Sequence, residues 1–540
     1  MLLFALETCP LFSSRRRFLH QTAAMSILYG SRRALSQMAP MQHMQAKVPN
    51  APDSHHPMLH SLELTPFVDA LPLPNPLGKP SPDKLRITMR EIQAKVHRDV
   101  PPTRFWSYGP TPLAPVIEAR TGHPLQIEWV NNLPAKHFLP IDHSLHGCGR
   151  DLPDVRTVTH VHGAKVPSKD DGYPDDWFVP GKSRICHYPL QQDSATLWYH
   201  DHAMGLNRLN SYAGLAGLFL IRDQTEDALN LPTGKYEIPL VLYDRDFTTD
   251  GQLFYGISGD PDHPWIPEFN ADGILINGKI RPYLEVEPRL YRFRAVNVAN
   301  SRFFGLSLDN HPFTQIGSDQ GLLSAPVELK NLSLAPAERA DLLIDFAPLA
   351  GKTIHMSTGG FDILQFRVAA QTSSSHNNTM PKAMPAVRRT PESEAVTTRT
   401  ITLGEHHDRN GNPMVMLLNG KHWHEPVTET PKLNSTEIWE FINLTEDTHP
   451  MHLHLVRFQI LDRRVFEPYQ YETRRTVRFN SAPIPPMPNE LGWKDTIQCP
   501  PNMITRIIVR FEGFTGKYLY HCHILEHEAN DMMRPFEVIA

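Results

Sequence analysis

The sequence predicts an all-β chain, an array of β-sandwiches without long helices. Three observations carry that expectation. Fifty prolines in 540 residues work against helices, since each lacks an N–H and clashes with the preceding turn. Short runs rich in Val, Ile, Tyr and Phe, bounded by turn residues, recur along the chain and read as strands, and stacked sheets are how such strands bury an apolar face. One strand pattern also occurs three times: Gln126-Ile127-Glu128-Trp129-Val130-Asn131-Asn132, Tyr291-Arg292-Phe293-Arg294-Ala295-Val296-Asn297 and Glu437-Ile438-Trp439-Glu440-Phe441-Ile442-Asn443. Each reads as an alternating strand ending in Asn. The second and third follow Ile276-Asn277-Gly278-Lys279 and Leu418-Asn419-Gly420-Lys421, turns of the Asn-Gly hairpin type. Such repetition implies duplication of one module, and the length suits about three modules of roughly 150 residues.

In chain order, residues 1–40 contain Ser14-Arg15-Arg16-Arg17-Phe18-Leu19 and then a modestly apolar stretch from Gln21 to Gly30, the pattern of a twin-arginine export signal. Arg32 and Arg33 interrupt it and no clean cleavage site follows, so an ordinary basic tail is the alternative. Export implies a periplasmic or secreted protein and the twin-arginine machinery as a partner. Met and His in the Pro-rich segment from Ser36 to Ser61 could collect a metal, but read better as a flexible leader. Three modules are expected over 60–225, 226–370 and 397–540, with the Ser/Thr/Pro-rich stretch 371–396 as an exposed connector. No run reaches the roughly 18 apolar residues of a membrane span. The net charge of -5 is small and no basic stripe marks a nucleic-acid partner. A soluble monomer is expected. Of the five cysteines, Cys9 lies in the signal, and Cys148, Cys186 and Cys499 could form one bridge at most.

The chemistry concentrates in Tyr520-His521-Cys522-His523-Ile524-Leu525-Glu526-His527, followed by Met532. Along an extended strand His521 and His523 face one way and Cys522 the other, so two centres are served by three consecutive residues. Cys522, His527 and Met532 offer a thiolate, an imidazole and a weak thioether, which suits a trigonal copper with a long axial ligand. In Thr448-His449-Pro450-Met451-His452-Leu453-His454, His449 can complete that site while His452 and His454 share a face toward the other. Thr159-His160-Val161-His162-Gly163 and Trp198-Tyr199-His200-Asp201-His202 repeat the i, i+2 pattern. Ten histidines less the two at the Cys522 site leave eight, enough for three further coppers with positions open to dioxygen. A closed tetrahedral zinc site would not use so many. Any one of these pairs alone would be an ordinary accident among 29 His, and a lone Cys or Met is commonly core. The set together is not.

With these residues the chain resembles the multicopper oxidases, all four of whose short motifs are present: HVHG, WYHDH, HPMHLH and HCHILEHEANDMM. It is most similar to their bacterial spore-coat laccase and bilirubin oxidase branch, as in Gly172-Tyr173-Pro174-Asp175-Asp176-Trp177-Phe178 and Leu334-Ala335-Pro336-Ala337-Glu338-Arg339. The resemblance implies three consecutive cupredoxin-like Greek-key sandwiches and four copper ions. A type 1 copper would be held by His449, Cys522, His527 and axial Met532, and a type 2 copper by His160 and His452. A type 3 pair would be held by His162, His200, His202, His454, His521 and His523. In the middle module Asn297 is followed directly by Val298-Ala299-Asn300-Ser301-Arg302, with no H-x-H pair, and Asp201 stands where Cys522 stands in the third, so the cluster would lie between the first and third modules. Asp171 and Glu528 occupy the acidic positions that relay protons in that branch; otherwise each would be a solvated surface acid. The branch's middle-domain cysteine pair is missing, since Phe269-Asn270-Ala271-Asp272-Gly273 lacks its first half, and so is the Met-rich insertion of cuprous oxidases.

The resemblance therefore implies one-electron oxidation of phenols, aromatic amines or bilirubin-type donors, coupled to four-electron reduction of dioxygen to water. Two other expectations stand beside it. One is a periplasmic metallo-oxidase of cuprous or manganous ions, with the same ligands. The other is a non-enzymatic copper carrier or scaffold, which the complete ligand set disfavours.

Overall fold

The structure, a computed structural model, describes residues 57–73, 83–258, 260, 263–373, 379–409 and 411–540. The export motif, Cys9 and the leader up to residue 56 lie outside these residues. The leader's last residues are not loose, contrary to expectation. Leu59 donates to the Phe247 carbonyl at 2.8 Å, Thr249 donates to that of Pro57 at 2.9 Å, and Met58 bridges Thr248.

Among the described residues strands form six sheets, and each successive pair of sheets draws on one continuous stretch of chain. This is an all-β fold of three consecutive cupredoxin-like sandwiches. Most of their buried apolar residues form one continuous cluster, running from Leu71 to Val538, with small satellite clusters such as Met204, Trp423, Leu519 and Met533 beside it. The repeated Asn strands take the same place in each: Leu125–Asn132, Leu290–Asn297 and Thr436–Asn443 each pair in parallel with the 11-residue strand before them, Lys84–Ala94, Glu237–Phe247 and Thr397–His407. The matching Asn at or next to the strand end has the same function in each. Oδ1 of Asn131, Asn297 and Asn443 accepts from the backbone N–H two residues on, at 3.1, 2.9 and 2.9 Å. Nδ2 reaches to the facing segment, Thr157, Leu334 and Cys499 respectively. A side chain that ends one strand and ties it to another stretch satisfies buried backbone groups that would otherwise be orphaned. At the Asn-Gly turns both residues have positive φ, 51° and 88° at Asn277-Gly278 and 55° and 63° at Asn419-Gly420, as a type I′ hairpin requires.

The expected alternation holds only in the first Asn strand. Leu290–Asn297 is buried along its whole length and Thr436–Asn443 nearly so. Arg292 and Arg294 point into a buried ionic network, not into water. The described part of 371–396 is mostly exposed, with one short 3-10 turn at Glu392–Glu394. Cys148, Cys186 and Cys499 are buried and unpaired. Among the described residues no helix is long and apolar enough to cross a membrane.

Candidate metal centre

Four strands build the site. Thr159–His162 and Ala195–Asp201 are antiparallel neighbours that set His160 opposite His200. His449–Leu453 and Gly516–Cys522 are likewise paired, with Met451 opposite Cys522 and His452 opposite His521. The two strand pairs meet ring against ring: His160 stacks on His454 at 3.9 Å between centroids and His162 on His452 at 3.6 Å. All eight expected imidazoles gather, in the sets His160/His162/His452, His162/His200/His523 and His202/His454/His521. No such set lies in the middle sandwich among the described residues.

The unused nitrogens show what the gathering is for. Nδ1 of His160, His200, His452, His454 and His521 is held by Asp171 O, Asp201 O, Asp495 O, Asp171 Oδ2 and Cys522 O, at 2.6, 2.9, 2.8, 2.8 and 3.0 Å. Nε2 of His160, His200 and His452, Nδ1 of His162 and both ring nitrogens of His523 are buried without a hydrogen-bond partner. Nε2 of His521 lies 3.2 Å from that of His454 and 3.4 Å from that of His202, spacings suited to nitrogens sharing one ion. Burial, reinforced by neighbouring imidazoles, pushes His200 down to about 3 and His202 to about 4, and His160, His162, His452, His454 and His523 well below the usual range. Neutral, inward-facing and otherwise unpaired imidazoles are what metal ions need. Trp198 covers the cluster, stacked on His200 at 4.3 Å.

On the other face of the Gly516–Cys522 strand, Cys522 Sγ lies 3.5 Å from His449 Nδ1 and 3.7 Å from His527 Nδ1, which are 3.3 Å apart. A circle through these three atoms has a radius of about 2 Å, close to first-row metal–nitrogen and metal–sulfur bond lengths. The donor set is that of a trigonal copper. Met532 is fully buried, and its backbone is tied to Cys522 and His527. His449 Nε2 is closed off by Thr445 Oγ1 at 2.6 Å. His527 Nε2 instead meets Glu268 Oε1 at 3.3 Å, and that side chain is 22% exposed, so the outlet lies at His527. Burial and the Glu268 carboxylate push neighbouring Asp447 up to about 7, and Glu405 is raised by burial beside His407, His527 and Glu268.

Both expected acids are buried, not solvated. Glu528 takes a hydrogen bond from Asn207 Nδ2 at 2.6 Å and lies 3.4 Å from His202 Nε2 and 3.1 Å from His521 Nδ1. Burial raises its carboxyl, but His521 and His202 outweigh this and hold it at about 2. Asp171 braces His160 through its carbonyl and His454 through its carboxylate, and burial raises that carboxyl well above the usual range.

Sequence reasoning missed the residues around the ligands: Asn207, Glu268, Gln320, Asp495 and Glu526. Their partners are far away in the chain, and even Glu526, beside His527 in its motif, carries no sign of the middle-sandwich groups it binds.

Multicopper oxidase family models match residues 151–226, 252–371 and 388–540, more than half of the chain. The chain belongs to the multicopper oxidase family. Membership makes it a copper-dependent oxidoreductase using dioxygen as acceptor. This multicopper oxidase is 44% identical to a laccase of Bacillus subtilis, over 88% of its own length and 99% of the relative's. It is 37% identical to a laccase of Haloferax volcanii, over 87% and 85%. Among solved structures, the McoA multicopper oxidase of Aquifex aeolicus aligns with a TM-score of 0.72 at 28% identity, covering 88% of this chain and 100% of that one.

Proposed function

We propose a laccase-like oxidase that takes single electrons from phenolic, aromatic amine or bilirubin-type donors at His527 and reduces dioxygen to water at the eight-imidazole cluster. Four donors each lose one electron, and dioxygen takes up four electrons and four protons. In this reading His449, Cys522, His527 and Met532 hold a type 1 copper, and His160 and His452 a type 2 copper. His162, His200 and His523, with His202, His454 and His521, hold a type 3 pair. Copper in these sets supplies the one-electron acceptor and the multi-electron reductant of dioxygen. The supporting observation is covalent continuity: Cys522 belongs to one set, and its chain neighbours His521 and His523 to the other.

The remaining chemistry belongs to the chain. Glu268, at the outlet, can accept the proton a phenol or aromatic amine releases on losing an electron. Glu528 and Asp171 each touch ligands of the cluster and can hand protons inward. Replacing Glu268 with Gln should raise KM for phenols, leave the type 1 absorption intact, and spare donors that release no proton; equal effects on both donor classes would count against a proton-accepting role.

A second reading has its own observation. Glu268, Glu405 and Asp447 cluster about His527, which favours cationic donors, including cuprous or manganous ions. Oxygen uptake by copper-loaded protein with a methoxyphenol, bilirubin and cuprous ion in one buffer separates the two. Faster turnover of the organic donors supports the laccase reading, and dominant cuprous turnover supports the metallo-oxidase. No uptake with full copper would leave a carrier or scaffold. Export of the folded monomer by the twin-arginine route is part of the proposal. Changing Arg15 and Arg16 to Lys should retain the protein inside the cell, and export undiminished by that change would refute the route.

A further inference from the structure

His162 differs from its neighbours. Where His160, His200, His452, His454 and His521 are braced at Nδ1, His162 is braced at Nε2, which lies 2.9 Å from Asp495 Oδ1 and 3.1 Å from Thr496 Oγ1. A carboxylate can only accept, so Nε2 carries the proton and the lone pair sits on Nδ1, which is buried and otherwise unpaired. Asp495 also accepts from His452 Nδ1 through its carbonyl at 2.8 Å. One residue thus orients both members of the stacked His162–His452 pair.

Asp495 is held in turn from the middle sandwich. Arg339 donates Nη1 and Nη2 to its two carboxylate oxygens, each at 2.6 Å, and Gln320 Nε2 donates at 2.6 Å. Arg339 also donates to Thr196 O at 2.8 Å, on the strand bearing His200, to Asp319 O at 2.9 Å and to Ala337 O at 3.2 Å. Arg339 and Asp495 are fully buried, and a planar fork on a carboxylate fixes direction as well as charge. The clamp also explains Gly163 at the end of the HVHG motif. A Cβ there would lie 2.5 Å from Gln320 Nε2, 2.6 Å from Asp495 Oδ2 and 2.9 Å from Arg339 Nη2, and its φ is +88°.

We propose that Asp495, clamped by Arg339 and Gln320, is a positioning residue that fixes the His162 ring with Nδ1 facing the cluster. Through it the sandwich that supplies no ligand sets the occupancy of one copper site. The inference rests on the reading of His162 as a copper ligand. Outer partners of metal-bound imidazoles typically alter affinity or activity 10- to 100-fold.

The test compares holoenzyme with Asp495→Asn and Arg339→Lys by copper content, optical spectrum and electron paramagnetic resonance. In Asp495→Asn the type 1 absorption should persist while copper per chain falls by about one. The unpartnered type 3 ion should become visible by resonance, and oxygen uptake should fall roughly 10- to 100-fold at saturating donor. Arg339→Lys keeps the charge but loses the fork, and should show the same changes more weakly. Should Asp495→Asn not fold, Arg339→Lys and Gln320→Leu decide by the same readouts. Full copper, an unchanged resonance spectrum and unchanged turnover in folded Asp495→Asn, or in both substitutes, would overturn the proposal. A wild-type protein lacking a coupled pair would instead refute the copper assignment itself.

Discussion

Cys522 is completely buried, and burial alone pushes its thiol up. A buried thiol facing two imidazole nitrogens is a poor arrangement for a metal-free core and a good one for a metal, which binds the thiolate and displaces the proton. Cys522→Ser should therefore abolish the type 1 absorption while the eight imidazoles retain their copper, leaving about three ions per chain by metal analysis. Glu528→Gln acts at the other set. It removes an ionised carboxylate beside His202 and His521 but keeps an acceptor for Asn207, so folding and the type 1 spectrum should survive. Oxygen reduction should slow by about 10²- to 10⁴-fold, the usual worth of a positioned acid–base group; unchanged turnover would remove Glu528 from the relay. The ligands themselves were legible because each motif keeps its histidines two residues apart on one strand, a pattern visible in a few letters. Asp495 was not, because its contacts with Arg339 and His162 span 156 and 333 positions and nothing in the sequence around Asp495 links it to either.

Leu525–Ala529 is a helix of only five residues, far shorter than the roughly 12 that a helix needs to persist alone, yet it carries His527 and Glu528. Contacts from the middle sandwich hold it. Glu526 accepts from Tyr255 Oη at 2.7 Å, Asn300 Nδ2 at 2.7 Å and Ser301 Oγ at 2.5 Å, and its carbonyl accepts from Trp265 Nε1 at 3.0 Å. Glu526→Leu would strand three buried donors, each costing about 1–3 kcal/mol. A loss of at least about 3 kcal/mol in urea denaturation should accompany a weakened type 1 absorption, whereas Glu526→Gln, which keeps an acceptor, should lose less of both. Loss of stability with an unaltered type 1 spectrum would show that the tie does not reach His527. Element types were readable for simple reasons: an Asn that closes a strand and an Asn-Gly turn act locally. Strand faces were less readable: Arg292 and Arg294 lie on a strand buried along its whole length, because charge in a sequence does not reveal a buried counter-charge.

That counter-charge binds the first two sandwiches together. Glu226, on the helix Gln224–Ala228 that follows the first sandwich, accepts from Arg292 and Arg294 of the second at 2.6 Å each, and from Arg222 at 2.9 Å. Glu237 and Asp341 complete the network, and Arg294 also reaches Thr196 of the strand that bears His200. Burial alone would raise the Glu226 carboxyl, but the three guanidinium groups outweigh it and hold it at about 2, from an ordinary 4.5. A carboxyl depressed in the folded state stabilises fully above its unfolded pKa, and that stability is lost as pH falls through its folded value. The window is therefore about 4.5 down to 2, and the contribution on the order of 3 kcal/mol. Copper ligands also protonate in acid, so the measurement must be a difference. The urea midpoints of wild type and Glu226→Gln should lie furthest apart at pH 5–6 and converge toward pH 2, because the ligand effects common to both cancel. A gap that stayed constant across that range would mean that Glu226 stabilises by packing, and that the charge of this junction does not set the acid limit of the molecule.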